Sequence, residues 1–219
     1  MSSVPSVGSV AVVLIDLQQS YTRGLWASWM GETKAEHIRQ SFTRCANLLV
    51  KLKKDVPVLL SRSAIGGYDL DWAEEVGEIV SAKAYPSVLK PDTDILEAAG
   101  FAEWLGKVMR SGVSTLMVGG CTTTSCVRVW SSHIQRSFSS RGLQVVVDLS
   151  LCGARDCNYV PRCQACLDKY MMYGTDSTCD RCATPGVSTV SPVDNAVEDM
   201  RKSGVQVVQQ FDWTPFVEK

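Results

Sequence analysis

The hydrophobic positions of this chain change period repeatedly, and the changes mark out its elements. Val10 to Ile15 is an unbroken β-branched and aliphatic run that stops at Asp16, the pattern of a central strand buried on both faces. From Lys34 to Lys54 the apolar residues Ile38, Phe42, Cys45, Leu48, Leu49 and Leu52 instead fall at helical spacing, which predicts an amphipathic helix with Cys45 on its buried side. Pro57 restarts the chain, and Val58 to Leu60 reads as a second strand. Phe101, Trp104, Leu105 and Val108 give another helix, closed by Gly112 before the apolar strand Thr115 to Val118. Gly119-Gly120 then turns the chain sharply, and the hydroxyls of Thr122 to Ser125 offer N-caps for a helix whose apolar face begins at Val127, Trp130 and Ile134. Arg141-Gly142 leads into the strand Leu143 to Val147. The last helix opens on Ser191, Pro192 and Asp194, buries Val193, Val197 and Met200, and ends at Gly204 before the strand Val205 to Val208. Strand and helix alternate throughout, which predicts an α/β fold in three layers, a parallel sheet with helices on both faces.

With 219 residues, 45% of them hydrophobic, the chain suits one domain spanning 1–219 with a sizeable core. The 22 basic and 23 acidic residues nearly cancel, so there is no basic excess to bind nucleic acid or an anionic membrane. No apolar run reaches the length of a membrane span, and Met1 to Ser9 lacks the charged start and apolar core of a secretory signal. The expectation is a cytoplasmic protein acting on a small molecule. Cysteine is unevenly spread. Only Cys45, Cys121 and Cys126 fall in the first 150 residues, whereas Cys152, Cys157, Cys163, Cys166, Cys179 and Cys182 crowd into a Cys-rich insertion over 150–190. Cys163, Cys166, Cys179 and Cys182 form two CxxC pairs separated by twelve residues, the spacing of a structural zinc ribbon, with disulfides or free thiols as the other outcomes. Cys152 and Cys157 either exchange into that set or stand apart from it.

Three polar residues sit where chemistry is usually placed. Cys126 lies in the first turn of the helix after the Gly-Gly turn, where unpaired N–H groups and the helix dipole favour thiolate over thiol; as a buried cysteine it could equally be a small core residue. Asp16 ends the first strand, at the edge where open α/β sheets hold their sites, or else caps a loop. Lys90, between Leu89 and Pro91, is held in extended backbone by Pro86 and Pro91 and is a candidate buried ammonium. Tyr21, Leu25, Trp26, Trp29 and Met30 form an aromatic loop that either covers the core or lines a pocket, with Trp26 the candidate substrate contact.

Val13-Leu-Ile-Asp-Leu-Gln-Gln19, Leu89-Lys90-Pro91 and Gly120-Cys-Thr-Thr-Thr-Ser-Cys-Val-Arg128 stand in this order, and together they resemble the motifs of the isochorismatase-like cysteine hydrolases. That group includes N-carbamoylsarcosine amidohydrolase, nicotinamidase and isochorismatase. The likeness covers about residues 8 to 150, with a looser match from Ser191 onward. It implies an isochorismatase-like hydrolase fold, with Asp16 as general base, Lys90 as orienting cation and Cys126 as nucleophile. It also implies a cis peptide between Cys121 and Thr122, and an oxyanion held by the N–H groups of Thr122 and Cys126. True isochorismatases lack the cysteine and cleave a vinyl ether, so Cys126 favours C–N hydrolysis. Nicotinamidases carry a histidine-rich metal site, whereas this chain has only His37 and His133, on two predicted helices. The wording Thr-Ser-Cys-Val-Arg is closest to the carbamoylsarcosine and ureidoacrylate branch, whose substrate-binding arginine corresponds loosely in position to Arg155. The resemblance thus implies an amidohydrolase that needs no catalytic cofactor and assembles as a homo-dimer or tetramer. The alternatives are an isochorismatase-type hydrolase, or a zinc-stabilised interaction protein on a hydrolase scaffold with weak or no catalysis.

Overall fold

The computed structural model describes residues 9–23, 27–28, 32–64, 70–91, 94–174 and 176–218. Six strands make one sheet: β1 (Val10–Ile15), β2 (Val58–Ser63), β3 (Ser87–Lys90), β4 (Thr115–Cys121), β5 (Gln144–Gly153) and β6 (Gln206–Val208). Their order is β3-β2-β1-β4-β5-β6, and every neighbouring pair is parallel. β1 and β4, the two central strands, are buried at every position, which explains their continuous apolar runs. The edge strand β3 alternates exposed and buried, with Val88 and Lys90 inward.

The described α-helices are α1 (Glu36–Lys51), α2 (Glu74–Lys83), α3 (Phe101–Arg110), α4 (Arg128–Phe138), α5 (Gln164–Tyr173) and α6 (Pro192–Lys202). Alternation along β1 divides the core. Val10, Val12 and Leu14 face Ile38, Phe42, Leu49, Val76 and Val80 of α1 and α2. Ala11, Val13 and Ile15 face Phe101, Leu105, Trp130, Ile134 and Val197 of α3, α4 and α6. The sheet is therefore covered on both sides, and its chemistry is confined to the strand ends. α6 starts as its sequence predicts, with the Asp194 N–H donating to the Ser191 hydroxyl at 3.0 Å. Among the described residues, no helix is long and apolar enough to cross a membrane.

Several elements differ from the sequence reading. β2 runs past Leu60 to Ser63, and β4 runs past Val118 through Gly119-Gly120 to Cys121, where a sharp turn was expected. β5 runs on to Gly153 instead of stopping at Val147: its register against β4 shifts between Val118 and Gly120, where β5 takes up extra residues, and Gly120 and Cys121 then pair with Cys152 and Gly153. Residues 150–153 thus belong to the sheet, and Cys152 is a buried strand residue. The expected capped helix start is instead a π-helical turn, Thr123–Val127, leading into α4, and no side chain caps it. Its hydroxyls are engaged elsewhere: Thr123 donates to the Gly153 carbonyl at 3.1 Å, and Thr124 accepts from Asn158 at 3.0 Å.

Candidate active site

The strand order reverses between β1 and β4, which puts their carboxyl ends at the switch point where open α/β sheets hold their sites. Gly120 makes the close approach possible. Its φ is +109°, and a Cβ on it would stand 2.1 Å from the Ile15 carbonyl oxygen, so no other residue fits. Asp16 leaves β1 at φ +51°, a conformation that aspartate tolerates better than most residues. Its N–H reaches the Ser61 carbonyl at 3.1 Å and the Ser61 hydroxyl at 3.2 Å, and the same hydroxyl donates to Asp16 Oδ1 at 2.8 Å.

Lys90, the last residue of β3, reaches across β2 to place Nζ 2.7 Å from Asp16 Oδ2 and 3.1 Å from Cys126 Sγ. Asp16 and Lys90 are wholly buried and Cys126 is 6% exposed, so the three groups share one water-poor chamber. The Trp130 ring lies 5.3 Å from Nζ and covers the ammonium from the α4 side. Oδ2 faces Lys90 as an ion pair without a well-aligned hydrogen bond, which leaves it able to accept a proton.

Burial dominates the titration of all three. It lifts the Asp16 carboxyl above the usual carboxylate range, against the pull of Lys90, Ser61 and Cys126. The Cys126 thiol is pushed up to about 11, first by burial and then by the Asp16 charge, with Lys90 opposing. Burial works against the Lys90 charge, but Asp16 and Cys126 outweigh it and hold the ammonium above its ordinary value. Against the expectation that the helix start and Lys90 favour the thiolate, desolvation and the neighbouring carboxylate push the sulfur toward the thiol.

The Cys121–Thr122 peptide is cis, and both residues are buried where β4 enters the turn. Arg155 follows β5, but its guanidinium points into the insertion: Nη2 donates to the Tyr170 hydroxyl at 2.6 Å and lies over that ring. Trp26 lies outside the described residues. Ser61 and Trp130 support the site without having been singled out for it, and so does Gln18, which entered only as part of the first motif. Gln18 bridges β1 to β2, accepting from the Ser63 N–H at 2.6 Å and donating to the Ser63 carbonyl at 3.2 Å. The signal was present in β2, where Ser61 and Ser63 put polar groups at buried positions two apart.

In the insertion, the sulfurs of Cys163, Cys166, Cys179 and Cys182 all lie within 4.8 Å of one another, close enough to share a metal ion. The Cys163–Cys179 sulfur separation is 3.7 Å. Zinc–sulfur bonds of about 2.3 Å give a tetrahedron with edges of about 3.8 Å, whereas a disulfide needs about 2.05 Å. Cys157 stands apart, donating to Asn158 Oδ1 at 3.6 Å. His37 and His133 lie on α1 and α4, each paired with a carboxylate, Asp156 at 2.7 Å and Asp94 at 2.6 Å.

No family model matches the chain, and no curated protein matches it in sequence. Solved structures match it in fold. The nicotinamidase PncA from Bacillus subtilis gives a TM-score of 0.58 at 13% identity, over 92% of this chain and 99% of its own. An isochorismatase family protein from Desulfovibrio vulgaris gives 0.53 at 19% identity, over 91% and 93%. YcaC from Escherichia coli, an octameric hydrolase of unknown specificity, gives 0.55 at 15% identity, over 95% and 78%. At such identities the likeness is one of architecture, and by it this chain has the isochorismatase-like hydrolase fold.

Proposed function

We propose that the protein is an isochorismatase-like cysteine hydrolase that cleaves a C–N bond of a small linear amide or ureido compound. The observation that carries this reading is the convergence of Asp16, Lys90 and Cys126 from three distant segments into one buried contact set. Asp16 takes the thiol proton as Cys126 Sγ attacks the carbonyl carbon, and the N–H groups of Thr122 and Cys126 stabilise the oxyanion. The proton on Asp16 then passes to the leaving nitrogen as the C–N bond breaks. Water, deprotonated by Asp16, attacks the thioester and restores the thiol. Lys90 keeps Asp16 ionised and balances the sulfur as it becomes a thiolate. Arg155 is assigned to holding Tyr170 and not to the substrate, because its guanidinium is already engaged there.

Incubating the protein with a panel of linear amides, ureido acids and isochorismate tests this reading. The expected result is hydrolysis of an amide or ureido member, with the acyl group trapped by mass spectrometry on the Cys126 peptide and turnover lost in Cys126→Ala. A Cys126→Ala variant as fast as wild type would overturn the mechanism, and consumption of isochorismate alone would overturn the bond assignment.

A structural zinc on Cys163, Cys166, Cys179 and Cys182 belongs to the same proposal. Four thiolates close the coordination sphere and leave no position for water, so the metal would hold the insertion and take no part in the reaction. A cytoplasmic setting, where cysteines serve as thiols or metal ligands, suits this use of sulfur. Assembly into a dimer or tetramer is supported by the octameric E. coli neighbour and by Met171, Met172 and Tyr173, which expose apolar surface at the end of α5.

A further inference from the structure

One turn of helix and a run of side-chain hydrogen bonds lie between the four-sulfur site and the nucleophile turn. Cys163 is the N-cap of α5 and Cys166 lies in its first turn; one turn further on, Tyr170 faces inward. The Tyr170 hydroxyl accepts from Arg155 and donates to Asn158 Oδ1. Asn158 Nδ2 in turn donates to Thr124 Oγ1 at 3.0 Å, and Thr124 stands two residues before Cys126. Asn158 is 2% exposed, so losing the Tyr170 bond leaves its Oδ1 with only the weak Cys157 thiol as donor, and losing the Thr124 bond takes a partner from its buried amide nitrogen.

Arg162, next to Cys163, is 1% exposed. Its guanidinium donates to the carbonyls of Cys157 and Val160 at 2.8 and 2.7 Å and to that of Asp176 at 3.4 Å, and it lies 4.6 Å over the Tyr170 ring, packing against the same tyrosine. The Cys163 N–H donates to Cys182 Sγ at 3.3 Å and so joins the two CxxC pairs.

We propose that zinc bound by Cys163, Cys166, Cys179 and Cys182 positions the nucleophile turn from a distance, through Tyr170 and Asn158. The metal fixes the start of α5, α5 fixes Tyr170, and the Tyr170–Asn158–Thr124 run holds the turn that carries Cys126. Tyr170 and Asn158 are positioning residues in this scheme. Its consequence for turnover rests on the hydrolase reading, whereas the state of the turn is readable without any substrate, from alkylation of Cys126.

The experiment follows iodoacetamide labelling of the Cys126 peptide by mass spectrometry from pH 7 to 10. Four forms are compared: zinc-loaded and zinc-stripped wild type, and zinc-loaded and zinc-stripped Tyr170→Phe. Elemental analysis gives the metal content and circular dichroism the fold. One zinc per chain is expected in the loaded forms. Loss of either zinc or the Tyr170 hydroxyl is expected to label Cys126 about tenfold faster while turnover falls about tenfold, because a loosened turn both exposes and misplaces the sulfur. The labelling profile is expected to move to lower pH. Stripping Tyr170→Phe is expected to add less than a twofold change, since both perturbations act through one link. A chain that takes up no zinc overturns the metal site. A zinc-loaded Tyr170→Phe whose Cys126 labels at the wild-type rate and pH overturns the coupling, whatever stripping does to the fold. Labelling that responds as expected in a protein that hydrolyses nothing on the panel supports the coupling and sinks the hydrolase reading alone.

Discussion

Replacing Lys90 with methionine tests the electrostatics of the chamber directly, since it keeps the length of the side chain and removes its charge. In the native site the ammonium lies 2.7 Å from Asp16 Oδ2 and 3.1 Å from Cys126 Sγ, with no exposure to water. Taking one partner from a buried ion pair costs about 3–5 kcal/mol. The lower end applies here, because the Asp16 carboxyl is already lifted by burial and takes up a proton once Lys90 no longer opposes that shift. A carboxyl with a folded-state pKa above its unfolded value favours the folded protein only while protonated. Wild type carries part of the same cost, so the deficit of the variant is small while both proteins hold Asp16 protonated and grows as pH rises from the wild-type folded value toward the higher one of the variant, by up to about 1.4 kcal/mol per pH unit. Lys90→Met is thus expected to be less stable than wild type by about 3 kcal/mol at pH 8 and by about 1 kcal/mol at pH 5, read from urea unfolding at the two pH values. Adding Asp16→Asn, which suits φ +51° and removes the orphaned charge, is expected to restore more than half of the loss at pH 8. An equal deficit at both pH values, or no recovery in the double variant, would refute the claim that the two charges depend on each other.

Gly120→Ala drives a Cβ to 2.1 Å from the Ile15 carbonyl oxygen and is expected to cost about 4 kcal/mol or more, seen as loss of soluble protein or a collapsed melting temperature. Gly112→Ala, with a similar positive φ but nothing within 4 Å, is expected to cost only about 1–2 kcal/mol in the same assay. Because the Cys126 thiol is pushed up to about 11, its iodoacetamide labelling in wild type is expected to rise about tenfold per pH unit from pH 8 to 10. A plateau near pH 7 would mean that the turn and Lys90 do stabilise a resting thiolate.

The sheet was legible because its strands are buried on both faces. Val10–Ile15 and Thr115–Val118 cannot alternate when helices cover both sides, so their apolar runs announced central parallel strands, although the continuation of the second through Gly119-Gly120 to Cys121 was read as a turn. Asp16, Lys90 and Cys126 stood out because each interrupts or ends such a pattern. The extension of β5 was hidden, since Asp148 and Ser150 look like a turn. In the fold, the Asp148 carboxylate accepts from the Ser150 N–H and hydroxyl and from Trp213 Nε1, and so remains satisfied inside the sheet. The contacts of Arg155 were equally hidden: its partner Tyr170 lies on a helix whose polar and apolar residues show little segregation. The cysteine spacing signalled a possible metal site, but nothing in it signalled that Tyr170 and Asn158 would reach the turn holding Cys126.

The upward push on the Cys126 thiol has a physical source that bears on the mechanism. A helix start and a nearby lysine lower a thiol's pKa when the sulfur is solvated, but here the sulfur is 6% exposed and shares its lysine with a carboxylate. With Asp16 ionised, Lys90 protonated and Cys126 neutral, the chamber has no net charge. Forming the thiolate from that state by releasing a proton to water would leave an uncompensated anion in a low-dielectric chamber, which is what the raised Cys126 value expresses. Passing the same proton to Asp16 leaves the net charge unchanged and places Lys90 against the new anion. The burial that makes the resting thiol inert to solvent therefore does not oppose its activation by the neighbouring carboxylate. A catalytic sulfur of this kind is activated when a substrate carbonyl draws the bond and Asp16 accepts the proton, without a standing population of thiolate.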